Sequence, residues 1–138
     1  MLNEKEKLNE IIQLGFELNQ VQDLDLLLEH ILTKARKFTN ADAGSIYIVE
    51  SGKLKFQCNQ NDTLQRSLPP GKKLIYSTFT VAIDNKSISG SVAASGEMLN
   101  IPDVYSIAPG APYSFDRCYD EASHYTTKSM LTFPLKTT

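Results

Sequence analysis

The chain has 138 residues, a formal net charge of −2, and hydrophobic and charged fractions of 41% and 22%. Its length suits one domain with a core of its own, and its composition excludes an intrinsically disordered chain. The nearly neutral charge gives no basis for a nucleic-acid partner, because such partners select basic surfaces.

The first residues, MLNEKEKLNE, lack the apolar run of a signal peptide, and no window is long enough to span a bilayer. The two cysteines, Cys58 and Cys118, match no zinc-binding spacing. We therefore expect a cytoplasmic protein with reduced thiols and with no membrane partner, metal or cofactor.

Residues 3–21 are predicted to form an amphipathic helix with two apolar stripes. One stripe contains Ile11, Leu14, Leu18 and Val21, and the other contains Leu8, Ile12 and Phe16. Either both stripes widen one buried face, or one of them contacts a second copy of the chain.

A second helix is predicted after Asp23, whose carboxylate suits an N-cap, and Asn40 ends it. We expect one face to pack in the core, and we expect His30 on the opposite side to lie at the surface. The predicted core face consists of Leu24, Leu27, Leu28, Ile31, Ala35 and Phe38.

The next segment predicts a β-hairpin, with strands around Ile46–Val49 and Leu54–Cys58 and a turn at Ser51-Gly52. The alternation of Leu54, Phe56 and Cys58 with polar residues places Cys58 on the buried face. Residues 59–68 are predicted to form a loop, and 77–83 a third strand.

The rest of the chain alternates short helices and strands. Ser87 is expected to cap a helix over 88–95 that stops at Gly96. A strand over 98–101, an irregular loop over 105–114, a helix over 116–122 and a strand over 128–135 follow. This order predicts an α+β fold with an antiparallel sheet flanked by helices.

Three stretches carry a family resemblance: ADAGSIYIVESGKLKF at 41–56, SISGSVAASGEMLNIPDVY at 87–105, and FDRCYDEASHYTTKSMLTFPL at 115–135. The chain resembles GAF domains, the small-molecule sensor modules of cyclic-nucleotide phosphodiesterases, histidine kinases and bacterial signalling proteins. The resemblance covers nearly the whole chain and implies a GAF/PAS-like sheet with a ligand cavity between it and residues 88–127.

The resemblance also implies a set of ligand-binding residues, whereas the sequence contains none of the familiar catalytic motifs and predicts no catalytic residue. The ligand-binding residues are Ser45, Asn59, Gln60, Ile88, Ser89, Asp116, Asp120, Ser123 and Thr127. The helix start at 88–90 suits an anion, because helix N-termini present backbone N–H groups. Asn59-Gln60 supplies no aromatic ring for base stacking, so the ligand class stays open between a cyclic nucleotide and another anion. Asp120, Ser123 and Thr127 could equally cap helices and turns.

As a GAF sensor, the domain would occupy residues 1–138, with a core over 22–138 and the helix over 1–21 as a candidate dimer contact. The N-terminal helix and an exposed sheet edge favour a homodimer, because unpaired strands can pair with another chain. The resemblance implies an output domain outside this chain. It also implies that the sequence stops before the last strand and helix of such a domain.

Two other functions are compatible with the sequence. One is a structural GAF domain that dimerises through Leu8–Val21 without any ligand. The other is a GAF-type free methionine sulfoxide reductase, for which Cys118 is the candidate thiolate and Cys58 a distant resolving cysteine.

Overall fold

The computed structural model describes residues 3–17, 21–72 and 79–136, without the side chains of 13–17 and 21–23. Its helices are α1 (Glu4–Glu17), α2 (Val21–Thr39), α3 (Asp62–Arg66), α4 (Ile88–Ser95) and α5 (Cys118–Ser123). Its strands are β1 (Ala43–Glu50), β2 (Lys53–Asn61), β3 (Thr80–Ala82), β4 (Leu99–Ile101) and β5 (Met130–Thr132). The predicted α+β fold is confirmed.

The described strands form two sheets. One has the order β1-β2-β3, with β2 antiparallel to β3 and Leu54 opposite Val81. The other pairs β4 with β5 antiparallel, with Asn100 opposite Leu131. The chain divides into two compact units, residues 1–46 with 57–76 and residues 47–56 with 77–138. No described helix is both long and apolar enough to cross a membrane.

In the first unit, Arg36 fixes the end of α2 to the neighbouring segments. Its guanidinium donates to the carbonyl oxygens of Ala41 and Asp42 at 3.2 and 3.1 Å, and to Gln60 Oε1 at 2.7 Å. It also forms an ion pair with Asp62 at 2.5 Å. Four acceptors around one planar cation explain why this side chain is only 13% exposed.

The prediction that the apolar face of α2 packs in the core is wrong for four of its six residues, while Leu28 and Ala35 are half-buried. Leu24, Leu27 and Ile31 are 44–47% exposed and Phe38 is 90% exposed. The buried residue is Leu32, at 6% exposure, which the predicted face omitted. Leu32 lies about 100° around the helix axis from Ile31, because a helix has 3.6 residues per turn. His30 is exposed as predicted.

Two predictions about element ends in the first unit are also wrong. The helix α2 begins at Val21, so Asp23 lies inside its first turn and is not the N-cap. An acidic residue suits the N-cap and the first turn alike, because its negative charge is attracted to the positive end of the helix dipole. Residues 59–68 are not a loop, since β2 continues to Asn61 and α3 follows. The Asn61 side chain accepts from Leu64 N at 2.9 Å and caps α3.

Predictions for α1 are tested only in part. The helix spans Glu4–Glu17, and Leu8, Ile11 and Ile12 are 57%, 62% and 49% exposed. Leu18 lies outside the described residues, and so do the side chains of the other members of the two stripes.

In the second unit, the short-range predictions hold. Ser51 and Gly52 have φ of 52° and 75° and form the hairpin turn. Ser87 caps α4 by accepting from Gly90 N, and Gly96 ends it with φ 72°. The core of this unit is the buried cluster of Ile88, Ile101 and Val104.

Three predicted segments of this unit are shorter than expected or displaced. The strand β3 covers only Thr80–Ala82 of the predicted 77–83, of which 77 and 78 lie outside the described residues. The strand β5 covers only Met130–Thr132 of the predicted 128–135, because its partner β4 has only 3 residues. The helix α5 begins at Cys118, since the Asp116 carboxylate accepts from Cys118 N at 2.9 Å and turns the chain before it.

Candidate ligand-binding site

The start of α4 is held by local hydrogen bonds and by one close approach. Ser91 Oγ donates to the carbonyl oxygen of Ser87 at 2.7 Å, in addition to the Ser87 cap on Gly90 N. A Cβ atom at Gly90 would lie 2.5 Å from the carbonyl oxygen of Ala82, so only glycine allows α4 to rest on β3. Of the predicted ligand residues here, Ile88 has its side chain in the core, at 3% exposure.

The other predicted residue of this turn, Ser89, lies beside Tyr47. Its side chain hydrogen-bonds the hydroxyl of Tyr47 on β1. Burial raises the pKa of Tyr47 above 10.0, although this hydrogen bond opposes the shift. The site therefore keeps a neutral phenol beside the N-terminus of α4 at physiological pH.

The aromatic cluster runs from the hairpin to α5 through four rings. Tyr47 and Phe56 meet edge to face with centroids 5.5 Å apart, and Phe56 stacks on Phe79 at 4.6 Å. Phe79 and Tyr119 lie 6.2 Å apart. Neither Tyr47 nor Tyr119 is among the predicted ligand-binding residues. Strand alternation could have suggested Tyr47, whereas Tyr119 approaches Phe79 only through the tertiary fold.

On α5, the buried carboxylate of Asp120 is 4% exposed and accepts three hydrogen bonds. The donors are Tyr105 Oη at 2.5 Å, Thr127 N at 2.8 Å and Thr127 Oγ1 at 2.7 Å. Arg117 lies 5.0 Å from the centre of the Tyr105 ring. The structure thus brings together two predicted ligand residues, Asp120 and Thr127, through a direct bond between them. This network, which we call the Asp120 latch, joins α5 to the segments before and after it.

The remaining predicted residues of this unit also bond protein groups. Ser123 Oγ donates to the carbonyl oxygen of Tyr119 at 2.7 Å, one turn earlier in α5. Asp116 is exposed and accepts from the backbone N–H of Cys118. A ligand that used either side chain would compete with these local contacts.

The three predicted residues of the hairpin base belong to the first unit. Ser45 Oγ donates to Asn59 Oδ1 at 3.0 Å, so these two side chains meet across the hairpin. Gln60 Nε2 donates to Thr33 Oγ1 at 2.9 Å and to the carbonyl oxygen of Glu29 at 3.2 Å. Together with the bond from Arg36, these contacts tie Gln60 to α2.

Both cysteines are free thiols whose pKa lies above the usual 9.0. Burial raises the pKa of Cys58, and the acids Glu29 and Asp25 add to the effect. A hydrogen bond to Asp116, together with its negative charge, raises the pKa of the exposed Cys118. Both residues therefore remain thiols at neutral pH, and a thiol is a poor nucleophile. Among the described residues, no three His, Cys, Asp or Glu side chains are grouped to hold a metal ion.

Comparison with known proteins gives a family for the chain. The sequence profile described as "GAF domain" matches residues 23–138. The chain is also similar to the dual 3′,5′-cyclic-AMP and -GMP phosphodiesterase 11 of Drosophila melanogaster, with 28% identity over 145 aligned residues. That alignment covers 98% of this chain and 9% of the phosphodiesterase, so the chain spans only a small part of its relative. The protein belongs to the GAF domain family.

Proposed function

We propose that this GAF domain is a regulatory module that binds a small anionic ligand, with a cyclic nucleotide as the first candidate. In this proposal the ligand lies against the start of α4 and the aromatic cluster. Binding would change the activity of an output domain elsewhere in a longer cytoplasmic protein.

The observation that carries the proposal is the hydrogen bond between Tyr47 and Ser89. It sets the N-terminus of an eight-residue helix beside the Tyr47 ring, which is the first ring of the aromatic cluster. Since Ser87 already accepts from Gly90 N, the N–H groups of Ile88 and Ser89 are the ones a ligand could use. An anionic group would lie at the helix end, and a planar ring would stack on the aromatic cluster. The similar phosphodiesterase is named for cyclic AMP and cyclic GMP, which makes these the first compounds to test.

The predicted contacts take two kinds of role in this proposal. Ser89 and the backbone of Ile88 would bind the ligand directly. Asp120 and Thr127 would act by holding α5 in place, since the carboxylate already accepts three hydrogen bonds. Ser45, Asn59, Gln60, Asp116 and Ser123 remain proposed contacts that would have to exchange a protein partner for the ligand.

Isothermal titration calorimetry and thermal denaturation with cyclic GMP, cyclic AMP and inorganic phosphate test the proposal. A ligand at a hundredfold excess over its dissociation constant stabilises the fold by about 2.7 kcal/mol. We expect Ser89→Ala to weaken binding about tenfold, or about 1.4 kcal/mol. Ser106→Ala, which removes an exposed hydroxyl outside the site, is the matched control. If the folded protein responds to none of these compounds at millimolar concentration, the proposed ligand class is wrong.

A second candidate function is a structural role in which the domain dimerises without a ligand. The observation that favours it is the exposure of Leu8, Ile11 and Ile12 on α1, at 57%, 62% and 49%. Replacing Ile11 and Leu18 with glutamate should then separate the subunits, whereas ligand affinity of a sensor would change little. Sedimentation of the double variant measures this directly.

The reductase alternative has less support, because Cys118 is held as a thiol by its neighbour Asp116. A sulfoxide turnover assay with free methionine sulfoxide and a thiol reductant, with Cys118→Ser as the control, separates this activity from sensing.

A further inference from the structure

The two halves of α2 are attached to the first unit very differently. In the second half, Leu32 is 6% exposed and the Arg36 side chain is 13% exposed and bonds four acceptors. The first half is the stretch over residues 21–28, which we call the α2 arm. Its described side chains show one hydrogen bond to another element, in which Gln57 Nε2 donates to Asp25 Oδ1 at 2.8 Å.

Three leucines show how little of the α2 arm is packed. Successive residues of a helix lie about 100° apart around its axis, so Leu26 and Leu27 lie about 200° and 300° from Leu24. Leu24, Leu26 and Leu27 are 44%, 56% and 47% exposed. Solvent therefore reaches the arm over most of its circumference, and the remaining sector holds Asp25 and the half-buried Leu28. Burial of apolar surface contributes little to holding the arm in place.

The carbonyl oxygen of Glu29 lies where the α2 arm meets the second half of the helix, and two side chains donate to it. They are Thr33 Oγ1 at 2.8 Å and Gln60 Nε2 at 3.2 Å. In a regular α-helix this oxygen also accepts from the N–H of Thr33, but a carbonyl oxygen has only two lone pairs. The three donors compete, so the helical bond at Glu29 is weaker than its neighbours. Side chains that bond into the ladder of a helix are a known cause of bends.

We propose that α2 contains a hinge at Glu29, about which the α2 arm undocks while the second half stays fixed. Opening breaks the bond between Gln57 and Asp25, and it leaves the contacts of Leu32 and Arg36 in place. Such a local opening does not require the whole domain to unfold. The hinge lies in the first unit, so its motion requires no ligand at the site proposed for the second unit.

Amide hydrogen exchange, measured by NMR on the whole chain, tests the hinge. A helix as short as the undocked arm is not stable alone in water, so its hydrogen bonds open with it. We expect the amides of 25–31 to exchange at least tenfold faster than those of 35–38, with a step between the two groups. A gradual rise in rate toward residue 21 would show ordinary fraying, and equal rates would show a rigid helix. Either result would overturn the proposal.

Three substitutions separate a hinge from a helix that is weak throughout. Gln57→Ala removes the bond that holds the arm and should speed exchange in the arm about tenfold, with no change in the second half. Thr33→Val keeps the branched shape but removes one donor from the Glu29 oxygen, so it should slow exchange in the arm about threefold. Lys34→Ala changes an exposed side chain of the same helix and is the matched control. An equal effect of Gln57→Ala on both halves, or faster exchange in Thr33→Val, would contradict the hinge.

Distances between spin labels test the movement of the arm directly. One label is placed through Ser67→Cys, and the other through Leu27→Cys in the arm or Lys37→Cys in the second half; all three positions are exposed. The background carries Cys118→Ser and retains the buried Cys58. Pulsed electron paramagnetic resonance should give a distance distribution about twice as broad for position 27 as for position 37. Equal widths would show that the arm stays docked and would overturn the proposal.

Discussion

Removing the buried carboxylate of Asp120 should cost a large part of the stability of the second unit. Asp120→Ala leaves three donors without their acceptor, namely Tyr105 Oη and the N–H and hydroxyl of Thr127. A hydrogen bond to a charged group contributes about 1.5–3 kcal/mol. The half-buried Thr127 loses its partner, whereas the exposed Tyr105 can bond water instead. The sum over the three bonds is an upper limit for the loss of unfolding free energy. The net loss is smaller, because the variant no longer has to remove a carboxylate from water when it folds. We expect a net loss of about 3 kcal/mol.

Urea denaturation followed by far-ultraviolet circular dichroism measures this loss. Glu121→Ala is the matched control, since Glu121 lies on the same helix and is exposed, and its change should stay within about 0.5 kcal/mol. Asp120→Asn should give an intermediate loss of unfolding free energy. The amide keeps one acceptor oxygen, but its NH2 group replaces the other oxygen and faces a donor of the protein. Tyr105→Phe should be destabilising in the wild-type background and almost neutral in the Asp120→Ala background. A loss below about 1 kcal/mol for Asp120→Ala would refute the reasoning that the Asp120 latch holds α5.

Three further predictions concern single residues. Gly90→Ala should destabilise the fold by about 1–3 kcal/mol in urea denaturation, because its Cβ would lie 2.5 Å from a carbonyl oxygen of β3, whereas Ala94→Ser on the same helix should be nearly neutral. His124→Gly should raise the unfolding free energy by about 0.5–1 kcal/mol, since His124 ends α5 with φ 56°, a conformation that favours glycine. An unfolding free energy below that of the wild type would contradict this prediction. The rate of Cys118 alkylation should rise with pH through a midpoint above 9.0, and Asp116→Asn should lower that midpoint; the same midpoint in both proteins would exclude Asp116 as the cause.

The parts of the fold that the sequence predicts correctly depend on contacts between close neighbours. The Ser87 hydroxyl and Gly90 N are 3 residues apart, and the Gly96 conformation needs only the last turn of α4. The Ser51-Gly52 turn likewise needs no distant partner. Residue type at one or two positions is therefore sufficient to locate these ends.

The parts that the sequence does not predict depend on distant contacts. The Tyr105 hydroxyl and Asp120 are 15 residues apart, so the sequence alone shows an acidic residue on a short helix and leaves its partner open. The helical spacing of apolar residues in α2 indicates that they share one side of the helix. It does not indicate whether that side or the side of Leu32 contacts the hairpin. The helix α3 has only 5 residues, too few for a periodic signal, and only Asn61 marks its start.

The contacts of Arg36 have a consequence for the order in which the first unit folds. Its bonds to Ala41 and Asp42 span 5 and 6 residues and can form as soon as α2 ends, whereas its bond to Gln60 spans 24 residues and requires the complete hairpin. An interaction that forms after the rate-limiting step affects mainly the unfolding rate. In stopped-flow experiments we expect Gln60→Ala to speed unfolding and to leave the folding rate almost unchanged. The slopes of both logarithmic rates against denaturant concentration should stay the same. A slower folding rate would instead mean that the hairpin base docks on α2 before the transition state.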